Sequence, residues 1–107
     1  MSDVQKIDNV SVGVKANVYF DGKVISHSVF MPDGSKKTVG LIFPGTYKFN
    51  TDAPERMDMT AGNCTIRIAG AGDWKSYPAG TFYKIPGKSY FEITVEAGIA
   101  EYICSFE

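Results

Sequence analysis

The sequence predicts an all-β domain, a sandwich or barrel of short strands, and three observations carry that prediction. Eleven Gly and five Pro are spread so evenly that the longest stretch free of both is residues 1–12, which leaves a long helix nowhere to sit. Nine Val and nine Ile stand against a single Leu, Leu41, and β-branched side chains lose less rotamer freedom on a pleated strand than in a helix. Apolar side chains recur at every second position in several runs, as a sheet with one buried face requires.

Taken in order, residues 1–17 read as an N-terminal arm or added strand whose pairing partner the sequence does not disclose. The alternation Val10, Val12, Val14, Ala16, Val18 predicts strand there. A second run follows the Asp21-Gly22 turn, from Lys23 through His27 to Ser28. Pro32-Asp33-Gly34 and Pro44-Gly45 bracket the next segment, after which Tyr47, Phe49 and Thr51 alternate with Lys48 and Asn50. Cys64, Ile66 and Ile68 alternate with Thr65 and Arg67 between the turns at Ala61-Gly62-Asn63 and Gly70-Ala71-Gly72. Pro78-Ala79-Gly80 and Pro86-Gly87 precede Phe91, Ile93 and Val95, and Tyr102, Cys104 and Phe106 close the series. Strands at roughly 8 to 12-residue spacing in a chain of 107 residues make one domain, with the barrel assigned to 18–107.

Charge excludes some functions. The 11 Lys+Arg against 12 Asp+Glu give a formal charge of -1, with no like-charge run longer than Lys36-Lys37, so no broad field draws nucleic acid or an anionic membrane. No apolar run approaches the ~20 residues of a membrane-spanning helix, and the start MSDVQKIDNV lacks the basic and apolar regions of a secretory signal; the expected location is the cytoplasm. Cys64 and Cys104 are expected as a reduced, buried pair, since two thiols and the single His27 do not make a four-ligand zinc site. With no H-x-H pair and no spaced carboxylate cluster, no metal is expected. Gly70-Ala71-Gly72 is too short, and followed by no helix, to cradle phosphate, so any phosphate must meet Lys, Arg, hydroxyls or free backbone N–H groups. His27 carries no nucleophile motif around it.

The side chains left for chemistry are few. Lys23, Lys36, Lys37, Arg67, Lys84 and Lys88 are the candidate cations, each more simply a solvated surface charge. Glu55 follows Pro54 in what reads as a turn. Fourteen aromatic residues exceed what a thin β core needs, and Tyr47, Trp74, Tyr77, Tyr83, Tyr90 and Tyr102 pair a flat ring with a polar tip, as a pocket for a flat ligand wants.

A longer string is more specific. Tyr19-Phe20-x-Gly22-Lys23-Val24-x-Ser26, Thr38-Val39-Gly40 and Pro44-Gly45-x-Tyr47-x-Phe49-x-Thr51-x-x-Pro54-Glu55-x-Met57 come first. Gly62, Trp74-x-x-Tyr77-x-Ala79-Gly80-x-x-Tyr83-x-Ile85-Pro86-Gly87-x-Ser89-x-Phe91 and Tyr102-x-Cys104 follow in the same order. Over residues 18–107 this resembles the small cupin-like pyrimidine/purine nucleoside phosphorylases. The resemblance implies a cupin-like jelly-roll β-barrel, a homodimer, no cofactor, and cleavage of purine and pyrimidine nucleosides by inorganic phosphate to free base and ribose 1-phosphate. Gly45, Glu55 and Gly62 echo one cupin motif and Gly80 through Pro86-Gly87 the other, without the metal-binding histidines; Lys88 stands where many members have histidine.

That activity, laid on these residues, makes Glu55 and Lys23 the expected catalytic pair. Lys23, Lys36, Ser26, Thr38 and Ser89 suit phosphate, with lysine supplying charge and hydroxyls direction. Glu55 suits ribose hydroxyls or the developing positive charge, and Tyr47, Phe49 and Trp74 the base. Thr51, Tyr77 and Tyr102 complete the expected substrate-binding set. A sugar isomerase or epimerase on the same barrel, and a non-catalytic small-molecule-binding module, are the competing readings, because fold does not fix function.

Overall fold

The structure, a computed structural model, describes residues 6–107; the first five residues of the expected arm lie outside it. Eleven strands follow in order: β1 (Ser11–Val12), β2 (Asn17–Tyr19), β3 (Val24–Phe30), β4 (Lys36–Ile42), β5 (Gly45–Asn50), β6 (Glu55–Ala61), β7 (Asn63–Ile68), β8 (Ala71–Pro78), β9 (Phe82–Ile85), β10 (Tyr90–Val95) and β11 (Ala100–Phe106). One sheet has seven strands in the order β1-β3-β4-β11-β6-β9, with β2 also paired to β3; the other has four, β5-β10-β7-β8. All the pairings are antiparallel. Among the described residues no ladder joins the two sheets, so the barrel is flattened into two facing layers.

The alternating runs at Tyr47, Cys64, Phe91 and Tyr102 form β5, β7, β10 and β11 and meet between the layers. Tyr47, Cys64, Ile66, Phe91, Ile93 and Val95 come from the small sheet, and Val24, Ile42, Met57, Met59, Ile85 and Cys104 from the large one. Each large side chain so buried contributes roughly 1.5–3 kcal/mol over leaving it in water.

The N-terminal alternation turns out differently. Val10 to Val18 is not one strand: only Ser11–Val12 and Asn17–Tyr19 pair, both with β3, and Val12, Val14 and Val18 are exposed. Alternation records a preference for pleated backbone, but burial needs an opposing layer, and the small sheet stops at β5. His27 helps fasten this segment, its Nδ1 lying 3.0 Å from the Gly13 carbonyl oxygen, while the Gly13 N–H donates to Ser28.

Register places the side chains that matter. Residues directly opposite across a ladder share a face. One inner row therefore runs Ser26, Gly40, Tyr102, Met59, and the next runs Ser28, Thr38, Cys104, Met57, Tyr83. Beyond these, Phe30 faces Lys36, and Phe106 faces Glu55, which in turn faces Ile85.

Candidate active site

These rows floor a cavity of about 210 Å3 between the sheets. Ser26, Thr38, Glu55, Tyr102 and Cys104 come from the large sheet, Phe49, Phe91 and Ile93 from the small one, and Tyr19, Asn50 and Phe106 stand exposed at the mouth. The wall is mixed in the way a polar, flat-ringed substrate requires: convergent hydroxyls and one carboxylate set among aromatic faces.

Among the described residues Glu55 is the only carboxylate lining this cavity and makes no ion pair: its Oε1 accepts from the Cys104 thiol at 3.6 Å. Burial raises the Glu55 carboxyl above its ordinary value, and the Cys104 hydrogen bond opposes that shift. Cys104 in turn is pushed up to about 12 by burial and by the neighbouring Glu55 charge, so it stays a neutral donor at physiological pH. The Tyr102 hydroxyl is also raised, by burial first and then by Cys104. Tyr102 lies flat along the sheet because Gly40, its partner across the ladder, has no side chain; a Cβ there would sit 2.7 Å from the Tyr102 hydroxyl. The Lys36 ammonium stands 5.4 Å above the Phe106 ring at the rim, a cation held on an aromatic face.

Of the residues singled out in the sequence, Glu55, Ser26, Thr38, Phe49 and Tyr102 converge here, with Lys36 at the edge. The others do not line this cavity. Lys23 is exposed at the start of β3, where its N–H donates to the Phe20 carbonyl and its carbonyl accepts from Phe43. The Tyr47 hydroxyl lies 2.8 and 2.9 Å from the carbonyl oxygens of Phe43 and Pro44, so it pins the bend before β5. Thr51 is a staple: its Oγ1 donates to the Pro86 carbonyl at 2.7 Å and accepts the Ser89 N–H at 3.0 Å. Tyr77 packs on Tyr83, with ring centroids 4.9 Å apart. Trp74 sits exposed on edge strand β8 with the Arg67 guanidinium 5.0 Å from its ring.

Tyr19, Cys104 and Phe106 line the cavity without having been assigned to the substrate site from the sequence. For Cys104 and Phe106 the signal was present, since period two puts them on the same face as Tyr102. Both thiols are free and buried, as expected of the pair.

The profile of the pyrimidine/purine nucleoside phosphorylase family matches residues 14–106. The chain belongs to that family. A pyrimidine/purine nucleoside phosphorylase of Cupriavidus necator is 51% identical over 104 residues, covering 97% of this chain and 98% of the relative. The same named protein of Methylobacillus flagellatus is 51% identical over 102 residues, covering 95% and 98%. Among solved structures, a protein of unknown function from Acinetobacter sp. ADP1 superposes with a TM-score of 0.92 at 39% identity, covering 95% of this chain and 98% of that one. Bacillus subtilis oxalate decarboxylase, at 15% identity, shares the fold alone: TM-score 0.74 over 98% of this chain and 31% of that one. The cupin-like all-β expectation therefore holds, and family membership makes the chain an enzyme.

Proposed function

We propose that this enzyme cleaves purine and pyrimidine nucleosides by phosphorolysis in this cavity. The observation that supports it most is a thiol-held carboxylate, Glu55, and a rim cation, Lys36, set on β6 and β4, the two strands that flank β11 and its Phe106. A phosphate oxygen attacks C1′ of the ribose as the C1′–N bond breaks. The bonding pair leaves with the base nitrogen, which takes up a proton, and the products are free base and ribose 1-phosphate. Positive charge grows on the sugar ring in the transition state, as in glycoside cleavage, and an ionised Glu55 held in a poorly hydrated wall stabilises it. Lys36 supplies the charge that holds phosphate, with the Thr38 hydroxyl giving direction. Ser26 and Tyr102, deeper in the cavity, suit the ribose hydroxyls. The residues converging here include three hydroxyl groups and one carboxylate, a donor set for sugar and phosphate, and among the described residues no three His, Cys, Asp or Glu side chains converge as a metal site would need.

The reading extends to a homodimer acting in the cytoplasm. An apolar groove on the outer face of the large sheet, lined by Val10, Val12, Val29, Val39, Leu41 and Ile103, supports the first part, and sedimentation or light scattering measures it. For the second, no helix among the described residues is long and apolar enough to cross a membrane.

Incubation with uridine or adenosine, with and without inorganic phosphate, tests the activity. Free base is expected only when phosphate is present. An isomerase releases base in neither case, a binding module turns nothing over, and a hydrolase releases base without phosphate.

A further inference from the structure

We propose that the nucleobase rests outside the enclosed part of the cavity, on a platform whose main face is the ring of Tyr19. This rests on the phosphorolysis reading and says which end of the site recognises the base. Pockets that bury most of a drug-sized ligand measure roughly 300–1,000 Å3. A nucleoside together with phosphate belongs to that size class, and a cavity of about 210 Å3 does not enclose both. The groups that suit the pentose, Ser26, Tyr102 and Glu55, and the Thr38 hydroxyl that suits phosphate all belong to the large-sheet wall, so the flat, variable part of the substrate is the part left at the mouth.

Two exposed aromatic rings stand at that mouth, Tyr19 (45% exposed) and Phe106 (41%). Phe106 already faces the Lys36 ammonium and lies opposite Glu55, so it belongs to the phosphate end. Tyr19 meets Phe49 edge to face, 6.0 Å between centroids at 81°, an arrangement that leaves ring surface uncovered. Ladder register separates the two ends of the site: Tyr19 lies beside Val24 and through it Ile42, at the far end of β4 from Lys36, the cation that holds phosphate.

The backbone beside Tyr19 is built to hold it. Phe20, Asp21 and Gly22 take consecutive positive φ values of 52°, 55° and 88°, a costly choice for the first two, and one that persists only where the surroundings enforce it. Here the enforcement is the Phe20 ring, seated 5.0 Å from Tyr47 and 5.4 Å from Phe49. A fixed ring offered to solvent reads flatness and ignores the pattern of donors on a base edge, so purines and pyrimidines are accepted alike.

Kinetics in both directions on Tyr19→Ala, Tyr19→Phe and the wild type test this. In Tyr19→Ala, KM for uridine and for adenosine rises by a similar factor, about tenfold for loss of one stacking partner, and KM for free uracil rises in the synthetic direction. KM for phosphate and for ribose 1-phosphate stays within about twofold of wild type, and Tyr19→Phe restores nucleoside affinity. An unchanged nucleoside KM in Tyr19→Ala, a rise confined to phosphate, or no recovery in Tyr19→Phe overturns the platform. If the wild type releases no base with phosphate, it is the phosphorolysis reading that fails. Equilibrium dialysis of uridine then decides the platform separately: weaker binding to Tyr19→Ala supports it and equal binding overturns it.

Discussion

Replacing Gly40 with Ala puts the reasoning about the cavity floor under direct strain. An added Cβ would lie 2.7 Å from the Ile25 carbonyl oxygen, 2.7 Å from the Tyr102 hydroxyl and 2.8 Å from Tyr102 Cζ. Real Cβ atoms essentially never approach so closely, so something must move. Ile25 belongs to β3, which is paired on both sides, with β2 and β4, and does not shift without opening the sheet. Tyr102 is 8% exposed and has the cavity in front of it, so its ring yields first. Overpacking a tight interior costs about 1–3 kcal/mol, and three contacts at once place this case near the top of that range. For a domain of this size about 2–3 kcal/mol lowers Tm by roughly 10–20 °C. Calorimetry reads the Tm, and kcat/KM falls with it because Tyr102 is displaced into the space a substrate needs. In a Tyr102→Leu background the two tyrosine contacts disappear while the Ile25 carbonyl contact stays, and the same Gly40→Ala change should cost less there. A Tm within about 2 °C of wild type, or identical costs in the two backgrounds, would falsify the account of why glycine stands there.

Three other outcomes follow from the same geometry. Glu55→Gln lowers kcat by about 10²–10³-fold if the carboxylate faces the developing charge. Because burial raises the Glu55 carboxyl in the folded state, its ionisation destabilises the fold as pH rises past the usual carboxylate range. The variant should therefore be the more stable protein at pH 8, with the difference vanishing near pH 3; equal Tm values at both pH values would contradict this. Thr51→Val removes the acceptor of the Ser89 N–H and the donor to the Pro86 carbonyl, and since Ser89 is half-buried and Pro86 exposed, each lost bond costs about 0.5–1.5 kcal/mol. Its specific activity per folded molecule should hold, and a lost activity at unchanged Tm would return Thr51 to the substrate site. Cys64 and Cys104, both pushed up to about 12 by burial first of all, carry roughly one thiolate in 10⁴ at pH 8, so iodoacetamide should label neither until the protein is unfolded. Rapid labelling of the native protein would show that the interior opens.

Phe49 and Tyr102 were legible as candidates because each is a capable side chain on an alternating strand, while Ser26 and Thr38 came from the family string and Glu55, which read as a turn residue, opens β6 and faces the cavity. Tyr47, Trp74, Tyr77, Thr51 and Ser89 carry the same side-chain types. Their roles in a bend, an edge, a core contact and a staple depend on which carbonyl or ring lies nearby, and in each case the partner comes from another turn or strand. Lys23 and Lys36 are alike in sequence terms. Only the latter reaches an aromatic ring at the cavity mouth, because β3, β4 and β11 adopt one register among several that the alternation would allow.

The residue pattern by itself determined that the chain is built of strands, where it turns, and which side chains share a face, since these follow from backbone preference and a period of two. The family string carried the activity. Tertiary structure decided which faces are opposed: it left Val12, Val14 and Val18 in solvent, joined Glu55 to Cys104 from partners 49 positions apart, and set Tyr19 at the mouth. Burial and proximity are properties of how two sheets stack, and short-range periodicity holds no record of which layer lies above a given strand.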